Sequence, residues 1–245
     1  MISSPSEWRV ALRHRKWYYL AMNAESGGQD DYADRRERMV KRQIADRGIR
    51  DAAVLSAMSV VPREQFVLGP YQQYAYDDTP LPIPANQTIS QPYIVAYMIA
   101  ALKLKPEDRV LEIGTGSGYA AAVLSRMVRE VYSIERHERL AEYARNRLAQ
   151  LGYDNVTVRS GDGTLGWPEH APYEGILVSA GGPSVPSTLR SQLAIGGRLV
   201  VPIGQSRRKQ HLVLITRASR SDFAEEKLVA VAFVPLIGDE GWKGS

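Results

Sequence analysis

Cysteine is absent from the 245-residue sequence. Its absence excludes disulfide bonds, zinc or iron–sulfur centres held by thiolates, and catalysis by a thiol nucleophile. Long apolar runs are missing as well, because the longest, residues 94–102, is about half of the ~18 residues that a membrane-spanning helix needs. Basic side chains between residues 9 and 16 interrupt the apolar stretches there, which argues against a signal peptide. These absences predict a soluble, cytoplasmic protein that does not enter membranes.

The excess of basic residues is confined to one part of the chain. The net charge is +4 and the pI is about 9.2, yet residues 1–50 contain eleven Lys or Arg and seven Asp or Glu, while the remainder contains twenty of each. A basic extension can bind nucleic acid, but a solvated tail followed by one charged helix explains the same pattern, and we favour it. We expect a basic, flexible N-terminal extension over residues 1–30 and a single domain over residues 31–245.

The first part of this domain, residues 31–92, combines helices with a long loop. Apolar positions at helical spacing predict a helix over residues 31–47 that ends at Gly48, and Asp51 is placed to cap a second helix. Residues 70–92 are rich in Pro, Tyr, Asp and Asn, which predicts an extended loop on the substrate side of the domain.

The second part, residues 93–245, has the pattern of an α/β core. Apolar strands alternate with helical segments at about 119–128 and 138–151, and this alternation predicts a parallel sheet with right-handed crossovers. The last two strands follow without an intervening helix, which predicts an antiparallel edge. The predicted strands are Arg109–Ile113, Val131–Ile134, Val156–Arg159, Gly175–Ser179, Arg198–Pro202, His211–Thr216 and Val229–Pro235.

A glycine-rich turn follows the first of these strands. Gly114, Gly116 and Gly118 lie between the strand and the next helix, where missing side chains let a ligand approach the backbone. The dinucleotide-binding fingerprint G-x-G-x-x-G needs its third glycine at position 119, and Tyr119 there argues against a dehydrogenase. The G-x-G-x-G spacing, with Glu112 two residues before it, resembles the S-adenosylmethionine loop of Rossmann-like methyltransferases.

Two further carboxylates follow the next strands of the predicted sheet. Glu135 lies 21 residues after the first glycine, where a carboxylate can accept hydrogen bonds from both hydroxyls of a ribose. Asp162 lies between two glycines after the third strand, where it can accept a hydrogen bond from an adenine amino group. Either acid alone could be a solvated or turn-forming residue. Together they follow the carboxyl ends of parallel strands, where open α/β sheets bind ligands, and they predict a cofactor site.

Five segments carry a more specific likeness, and they are Val61–Phe66, Gln87–Pro92, Val110–Tyr119, Gly161–Gly163 and Phe233–Leu236. With them the chain resembles the protein-L-isoaspartate O-methyltransferase family over roughly residues 35–242. The resemblance implies a Rossmann-like α/β fold with a mostly parallel seven-stranded sheet and an antiparallel edge, and S-adenosyl-L-methionine as methyl donor. It also implies methylation of the α-carboxyl of L-isoaspartyl residues in damaged proteins, whose ester then collapses to a succinimide.

The resemblance further implies roles for individual residues. Ser90 is expected to donate a hydrogen bond from its hydroxyl to the substrate carboxylate, although it also stands where it could cap the helix that begins near Pro92. No metal site is expected. The residues expected to bind the cofactor are Thr88, Ile89, Glu112, Gly114, Thr115, Gly116, Ser117, Gly118, Glu135, Asp162 and Gly163.

The implied reaction suits a chain without thiols. A carboxylate has a pKa of about 4, so it is ionised at neutral pH and can attack a sulfonium methyl without a strong base, thiol or metal. The enzyme then has to align the reacting atoms and remove water from the carboxylate. The histidines fit this reaction because all four are isolated in the sequence and are typical of surface or structural residues: His14, His137, His170 and His211.

The loop before Ser90 departs from the family pattern. The family reads Ile-Gly-x-Gly-Gln-Thr-Ile-Ser, whereas this chain has Pro84 and Asn86 at the two glycine positions, which stiffens the loop beside a peptide substrate. A carboxyl methyltransferase for one dedicated partner peptide is therefore an alternative. A non-catalytic module that binds nucleic acid or protein is less favoured, because aromatic residues do not alternate with basic ones in the predicted core. We expect a monomer whose partners are damaged proteins rather than nucleic acid.

Overall fold

The computed structural model describes residues 32–206 and 209–243. The predicted N-terminal extension over residues 1–30, with His14, lies outside the described residues. The α-helices of the described part are α1 (Tyr32–Arg38), α2 (Ala52–Val60), α3 (Pro92–Leu102), α4 (Tyr119–Ser125), α5 (Glu138–Gln150) and α6 (Ser187–Ser191). Its strands are β1 (Leu81–Ile83), β2 (Gln87–Ile89), β3 (Arg109–Ile113), β4 (Glu130–Glu135), β5 (Val156–Ser160), β6 (Tyr173–Val178), β7 (Leu193–Ser206), β8 (Lys209–Arg217) and β9 (Phe223–Val231).

Seven of these strands form one sheet in the order β5-β4-β3-β6-β7-β8-β9. The strands from β3 to β7 pair in parallel, whereas β8 and β9 pair antiparallel at one edge. This arrangement confirms the predicted Rossmann-like α/β fold with a mostly parallel sheet. The chain starts in the middle of the sheet with β3 and builds outward on both sides, so a crevice opens at the carboxyl ends of β3 and β6, as in other open α/β sheets.

The sheet buries a different set of apolar side chains on each face. Within β3, Val110 belongs to one buried cluster, while Leu111 and Ile113 belong to another, because neighbouring side chains of a strand point to opposite faces. The first cluster also contains Met39, after α1, and Ile99 of α3. The N-terminal helices and the sheet thus share one core, and the expected division at residue 92 stays a prediction.

The N-terminal helices follow the predicted positions with one irregularity. The α-helix α1 continues as a π-helix, Met39–Ile44, and a 3₁₀ turn before Gly48 ends it with φ +97°. Such a left-handed conformation favours glycine. Asp51 caps α2, since its Oδ1 accepts hydrogen bonds from the backbone N–H groups of Ala53 and Val54 at 2.9 and 3.1 Å. No helix among the described residues has both the length and the apolar composition needed to cross a membrane.

Two local predictions were wrong. The last strand is β9 rather than Val229–Pro235, because this exposed edge strand carries charged residues such as Glu225, while the apolar residues after it leave the sheet. The sequence between residues 70 and 92 is not only a loop, since β1 and β2 form an antiparallel hairpin in it. Ile83 of this hairpin packs against the glycine turn, where a Cβ at Gly116 would lie 3.3 Å from its Cδ1. The hairpin therefore covers the turn after β3.

Candidate active site

The glycine turn after β3 is held in a conformation that side chains disfavour. Gly114, Gly116 and Gly118 have φ values of +91°, +56° and +92°. The N–H of Gly114 donates to the carbonyl of Ile134 at 2.8 Å, which ties the turn to β4. A Cβ at Gly118 would lie 3.2 Å from the side chain of Leu148 in α5. The glycines are thus required by backbone conformation and packing, and the turn they form is exposed to a pocket.

A pocket opens at the carboxyl ends of β3, β4 and β6, where the predicted cofactor site was expected. The predicted residues that line it are Thr88, Ile89, Ser90, Glu112, Gly114, Thr115, Gly116, Ser117, Glu135 and Gly163. Gly118 and Asp162 are not among its lining residues. Ten of the twelve predicted site residues are therefore brought together in one cavity, although they come from four separate segments of the chain.

Glu112 is a fully buried carboxyl group in the wall of this pocket. Its side chain is 0% exposed, and its Oε2 accepts a hydrogen bond of 2.5 Å from the hydroxyl of Ser133, which in turn accepts one of 2.6 Å from Thr115. Its Oε1 has no hydrogen-bond partner among the described residues. Burial raises the pKa of Glu112 to about 8, the Ser133 hydrogen bond lowers it, and the nearby charge of Glu135 adds to the increase.

Glu135 ends β4 with its carboxylate directed by backbone hydrogen bonds. Its Oε2 accepts from the N–H of Gly116 at 2.9 Å, and its Oε1 accepts from the N–H of His137 at 3.0 Å. An ionised carboxylate has about four lone-pair sites, so each oxygen can accept one more hydrogen bond. The carboxylate is therefore oriented before any ligand arrives. His137, expected as a surface or structural residue, also lines the pocket.

Asp162 follows β5, and its carboxylate accepts hydrogen bonds from groups of the protein itself. Its Oδ1 accepts hydrogen bonds from the N–H and the hydroxyl of Thr164 at 2.8 and 2.7 Å, and its Oδ2 accepts from the N–H of Asp239 at 2.8 Å. The carboxylate thus caps the 3₁₀ turn Gly163–Leu165 and holds the C-terminal segment. Only its neighbour Gly163 lines the pocket, and the adenine contact of Asp162 stays a prediction.

The C-terminal segment is a wall of the pocket that sequence reasoning missed. Residues 234–237 line it, after the chain has left β9. The N–H of Gly181 donates to Val234 at 2.8 Å, and the N–H of Leu236 donates to Gly181 at 2.9 Å. In the sequence, the Phe233–Leu236 segment contributes only to the family resemblance. Its position depends on pairing with residues more than fifty positions earlier, which no local pattern shows.

Glu240 fastens the end of this segment to α6. Its carboxylate accepts hydrogen bonds from the hydroxyl of Ser187 at 2.9 Å and from both the hydroxyl and the N–H of Thr188. Burial alone would raise the pKa of Glu240, but these hydrogen bonds outweigh it and hold the pKa below its usual value. The indole N–H of Trp242 also donates to the carbonyl of Gly181 at 2.9 Å. Hydrogen bonds of both Glu240 and Trp242 therefore fix the end of the segment to other parts of the chain.

A second, smaller pocket adjoins the first. Its wall includes Ile94 of α3 and Phe233, together with Pro80 and residues 230–232. Four residues line both pockets, and these are Thr88, Ser90, Ser179 and Val234. Ser179 follows β6 and was not predicted as a site residue, although the rule that ligands bind at the carboxyl ends of parallel strands points to it. Ser90 thus lies where the two pockets meet.

The hydroxyl of Ser90 is not used as a helix cap, and that part of the prediction was wrong. Asp78 takes this place, since its Oδ1 accepts from the N–H of Tyr93 at 3.4 Å and its Oδ2 from the side chain of Gln91 at 2.6 Å. Arg47 binds the same Oδ2 at 2.5 Å. The Ser90 hydroxyl makes no hydrogen bond with another described residue, so it is available to a ligand.

The segment that departs from the family pattern forms the turn of the β1–β2 hairpin. Ala85 and Asn86 have φ values of +60° and +55°, and the N–H of Gln87 donates to the carbonyl of Pro84 at 3.3 Å. Positive φ at both central positions is the geometry of a type I′ turn. Asparagine tolerates this conformation well, whereas alanine is strained by it. The hairpin keeps its turn despite the lost glycines.

The chain is similar to known proteins over most of its length. Residues 34–241 match the family model described as protein-L-isoaspartate(D-aspartate) O-methyltransferase (PCMT). The chain is 59% identical over 225 residues to protein-L-isoaspartate O-methyltransferase 2 of Pelobacter propionicus, which covers 92% of this chain and 99% of the relative. It is 58% identical over 210 residues to protein-L-isoaspartate O-methyltransferase 1 of Geotalea uraniireducens, with 86% and 96% covered.

Solved structures with the same family name are also similar to this chain. One named protein-L-isoaspartate O-methyltransferase has a TM-score of 0.77 and 33% identity, covering 84% of this chain and 67% of its own. A Plasmodium falciparum structure, described as a beta-aspartate methyltransferase in complex with S-adenosyl-L-homocysteine, has a TM-score of 0.70 and 25% identity, with 82% and 98% covered.

Proposed function

The chain belongs to the protein-L-isoaspartate (D-aspartate) O-methyltransferase family, and on that premise we propose which residues carry out the reaction. It is an S-adenosyl-L-methionine-dependent protein carboxyl O-methyltransferase that acts on L-isoaspartyl residues of damaged proteins. The observation that carries our assignment is the junction of two pockets at Ser90. The pocket beside the glycine turn takes the cofactor, and the smaller pocket takes the isoaspartyl side of the substrate.

Buried polar atoms in the first pocket fit the methyl donor. S-Adenosyl-L-methionine supplies a methyl group on a positively charged sulfonium when it is bound. Glu112 Oε1 and Ser117 Oγ are both buried and have no hydrogen-bond partner among the described residues, so they suit the amino-acid end of the ligand. Glu135 suits the ribose hydroxyls, because its oriented carboxylate retains free lone pairs. Buried Ile113, Ile134 and Leu236 offer the apolar surface that an adenine ring needs.

Ser90 is the residue that we assign to the substrate. Its hydroxyl is free to donate a hydrogen bond to the α-carboxylate, because Asp78 caps α3 in its place. Such a bond holds one carboxylate oxygen in a fixed direction, and alignment of nucleophile, methyl and leaving sulfur is the main requirement of this displacement. The apolar side chains of Ile94 and Phe233 line the same pocket and exclude water from the nucleophile.

Methylation of paired peptides tests this assignment. Purified protein is incubated with labelled S-adenosyl-L-methionine and either an isoaspartyl peptide or its aspartyl twin. We expect incorporation into the first only, and a roughly 10- to 100-fold lower kcat for Ser90→Ala, as for the loss of one hydrogen bond to a charged group. Ser59→Ala is the matched control, since that hydroxyl lies on α2 and donates within its own helix.

Three results would contradict the assignment. Equal incorporation into the twin peptides would remove the isoaspartyl specificity, and an unchanged kcat for Ser90→Ala would remove the role of that hydroxyl. Failure on every generic isoaspartyl peptide would instead favour a dedicated partner peptide.

We also propose that the chain works as a monomer in the cytoplasm. The roles assigned above to Glu112, Glu135 and Ser90 are all filled within one chain. The methyl donor is made and consumed inside cells, which supports the location. Light scattering at assay concentration measures the first point, and a mass of two chains would contradict it. Fractionation of cells that express the protein measures the second, and recovery outside the cytoplasm would contradict it.

A further inference from the structure

Arg63 has the largest fully buried side chain of the described part of the chain, and it has none of the roles in binding or catalysis proposed above. It is 0% exposed and belongs to the Val61–Phe66 segment that helped to carry the family resemblance. No carboxylate among the described residues forms an ion pair with it. A buried cation costs free energy unless hydrogen bonds compensate it, so the groups that Arg63 contacts indicate what it does.

Two of the three residues that Arg63 contacts, Ser90 and Tyr119, line the pocket beside the glycine turn. Its Nε donates to the carbonyl of Ala75 at 2.7 Å, and its Nη2 donates to the carbonyl of Ser90 at 2.8 Å. Its guanidinium carbon lies 4.7 Å from the ring centre of Tyr119, which lines the cofactor pocket. One rigid side chain thus joins the two ends of residues 75–90, the segment with the β1–β2 hairpin, to the residue that follows the glycine turn.

The position of Ser90 depends on contacts with side chains from other segments, because this residue belongs to no helix or strand. It follows the last residue of β2 and precedes α3, so neither a strand nor a helix fixes its backbone. Asp78 holds the next residue, Gln91, from one side. Arg63 holds the carbonyl of Ser90 itself. The direction of the free hydroxyl therefore follows from the position that these two side chains impose on the backbone.

We propose that Arg63 is a positioning residue for Ser90, an inference that rests on the proposed role of the Ser90 hydroxyl. The planar guanidinium donates in fixed directions to two carbonyls, whereas a lysine in its place keeps the charge but cannot bridge both. A purely structural Arg63 would lower the stability of the fold without changing turnover per folded molecule. The two possibilities differ in whether Arg63 and Ser90 are energetically coupled.

A double-mutant cycle measures this coupling. Arg63→Lys and Arg63→Met are made in the wild type and in Ser90→Ala, and kcat with a saturating isoaspartyl peptide is normalised to the fraction that binds S-adenosyl-L-homocysteine by calorimetry. We expect Arg63→Lys to lower kcat by about 10-fold in the wild type, as misplacement of a reacting group does. In Ser90→Ala the same change should lower kcat by less than about 2-fold, since coupled residues are not additive. The affinity for S-adenosyl-L-homocysteine should stay within about 2-fold of wild type, because Arg63 does not line that pocket.

Arg217→Lys is the matched control for loss of an arginine that binds carbonyls. Arg217 donates to the carbonyls of Leu193 and Ser191, and its guanidinium carbon lies 5.5 Å from the ring centre of Phe223, outside both pockets. This variant should lower the melting temperature and leave kcat unchanged.

The outcomes separate this inference from the proposed function. Equal losses of kcat in both backgrounds, a wild-type kcat for Arg63→Lys, or a loss of ligand affinity equal to the loss of kcat would each overturn the positioning role. An unchanged kcat for Ser90→Ala alone would overturn the proposed role of Ser90 and this inference with it. If Arg63→Met does not fold, Arg63→Lys decides the result.

Discussion

Replacing Glu112 with glutamine should make the protein progressively more stable than the wild type as the pH rises from 5 to 7. The buried carboxyl of Glu112 has a pKa of about 8 in the folded state, compared with 4.5 for a solvated glutamate. Between these two values the folded state keeps a proton that the unfolded state releases. Stability that is fully present below pH 4.5 is therefore lost as the pH approaches 8.

The magnitude follows from the difference between the two pKa values. Linkage allows a slope of up to about 1.4 kcal/mol per pH unit, so the wild type should lose about 2.5 kcal/mol between pH 5 and pH 7 through this group. Glutamine does not titrate, yet its amide can still accept the hydrogen bond from Ser133. For a domain of this size the difference in melting temperature between variant and wild type should change by roughly 5–10 °C over this range.

Denaturant unfolding at pH 5, 6 and 7, in the absence of ligand, measures the effect. The difference in the free energy of unfolding between Glu112→Gln and wild type is compared at each pH, so that other titrating groups cancel. Glu142→Gln, an exposed substitution on α5, is the control and should show no trend with pH. A difference for Glu112→Gln that is independent of pH would show that Glu112 is ionised in the folded protein, and would refute the reasoning.

Three further changes follow from local geometry. Ala85→Gly should stabilise the fold by about 1 kcal/mol in thermal unfolding, because it relieves a left-handed alanine in the hairpin turn; a destabilised variant would count against the turn geometry. Asp51→Ala should cost about 1 kcal/mol in the same assay through loss of the α2 cap, and no cost would mean that the cap contributes nothing. Glu240→Ala should weaken S-adenosyl-L-homocysteine binding roughly 3- to 10-fold in calorimetry, because it releases the segment that carries Leu236. An unchanged affinity would show that the hydrogen bonds of Glu240 do not support the pocket.

The parts of the fold that follow from local patterns were predicted well. The strand Arg109–Ile113 has the predicted bounds, because an apolar run that is too short for a helix and ends at a glycine turn favours a strand. Glu135 reached the pocket because the end of a parallel strand determines which edge of the sheet a residue occupies. The cap at Asp51 and the end of the first helix at Gly48 are likewise decided within a few residues.

Where several hydrogen-bond partners lie within reach of a polar group, the sequence did not predict which of them forms the bond. The oxygens of Asp162 accept hydrogen bonds from the N–H of Asp239 and from Thr164, which the flanking glycines do not indicate, and its contact with adenine stays a prediction. Ser90 was expected to cap α3, but Asp78, twelve residues earlier, does so instead. The N–H of Asp239 and the carboxylate of Asp78 are brought near by the tertiary fold, so local spacing alone could not indicate these partners.

By itself the sequence determined the fold class, the family and ten of the residues that line the pocket beside the glycine turn, because glycine turns, strand ends and the Thr88–Pro92 segment depend on neighbouring residues. Only the tertiary structure decided how the site is completed. It placed the C-terminal segment against Gly181, left the hydroxyl of Ser90 free, and brought Arg63 to the backbone carbonyl of Ser90. These are contacts between residues far apart in the chain, and their free energy is gained only once the sheet and helices have packed.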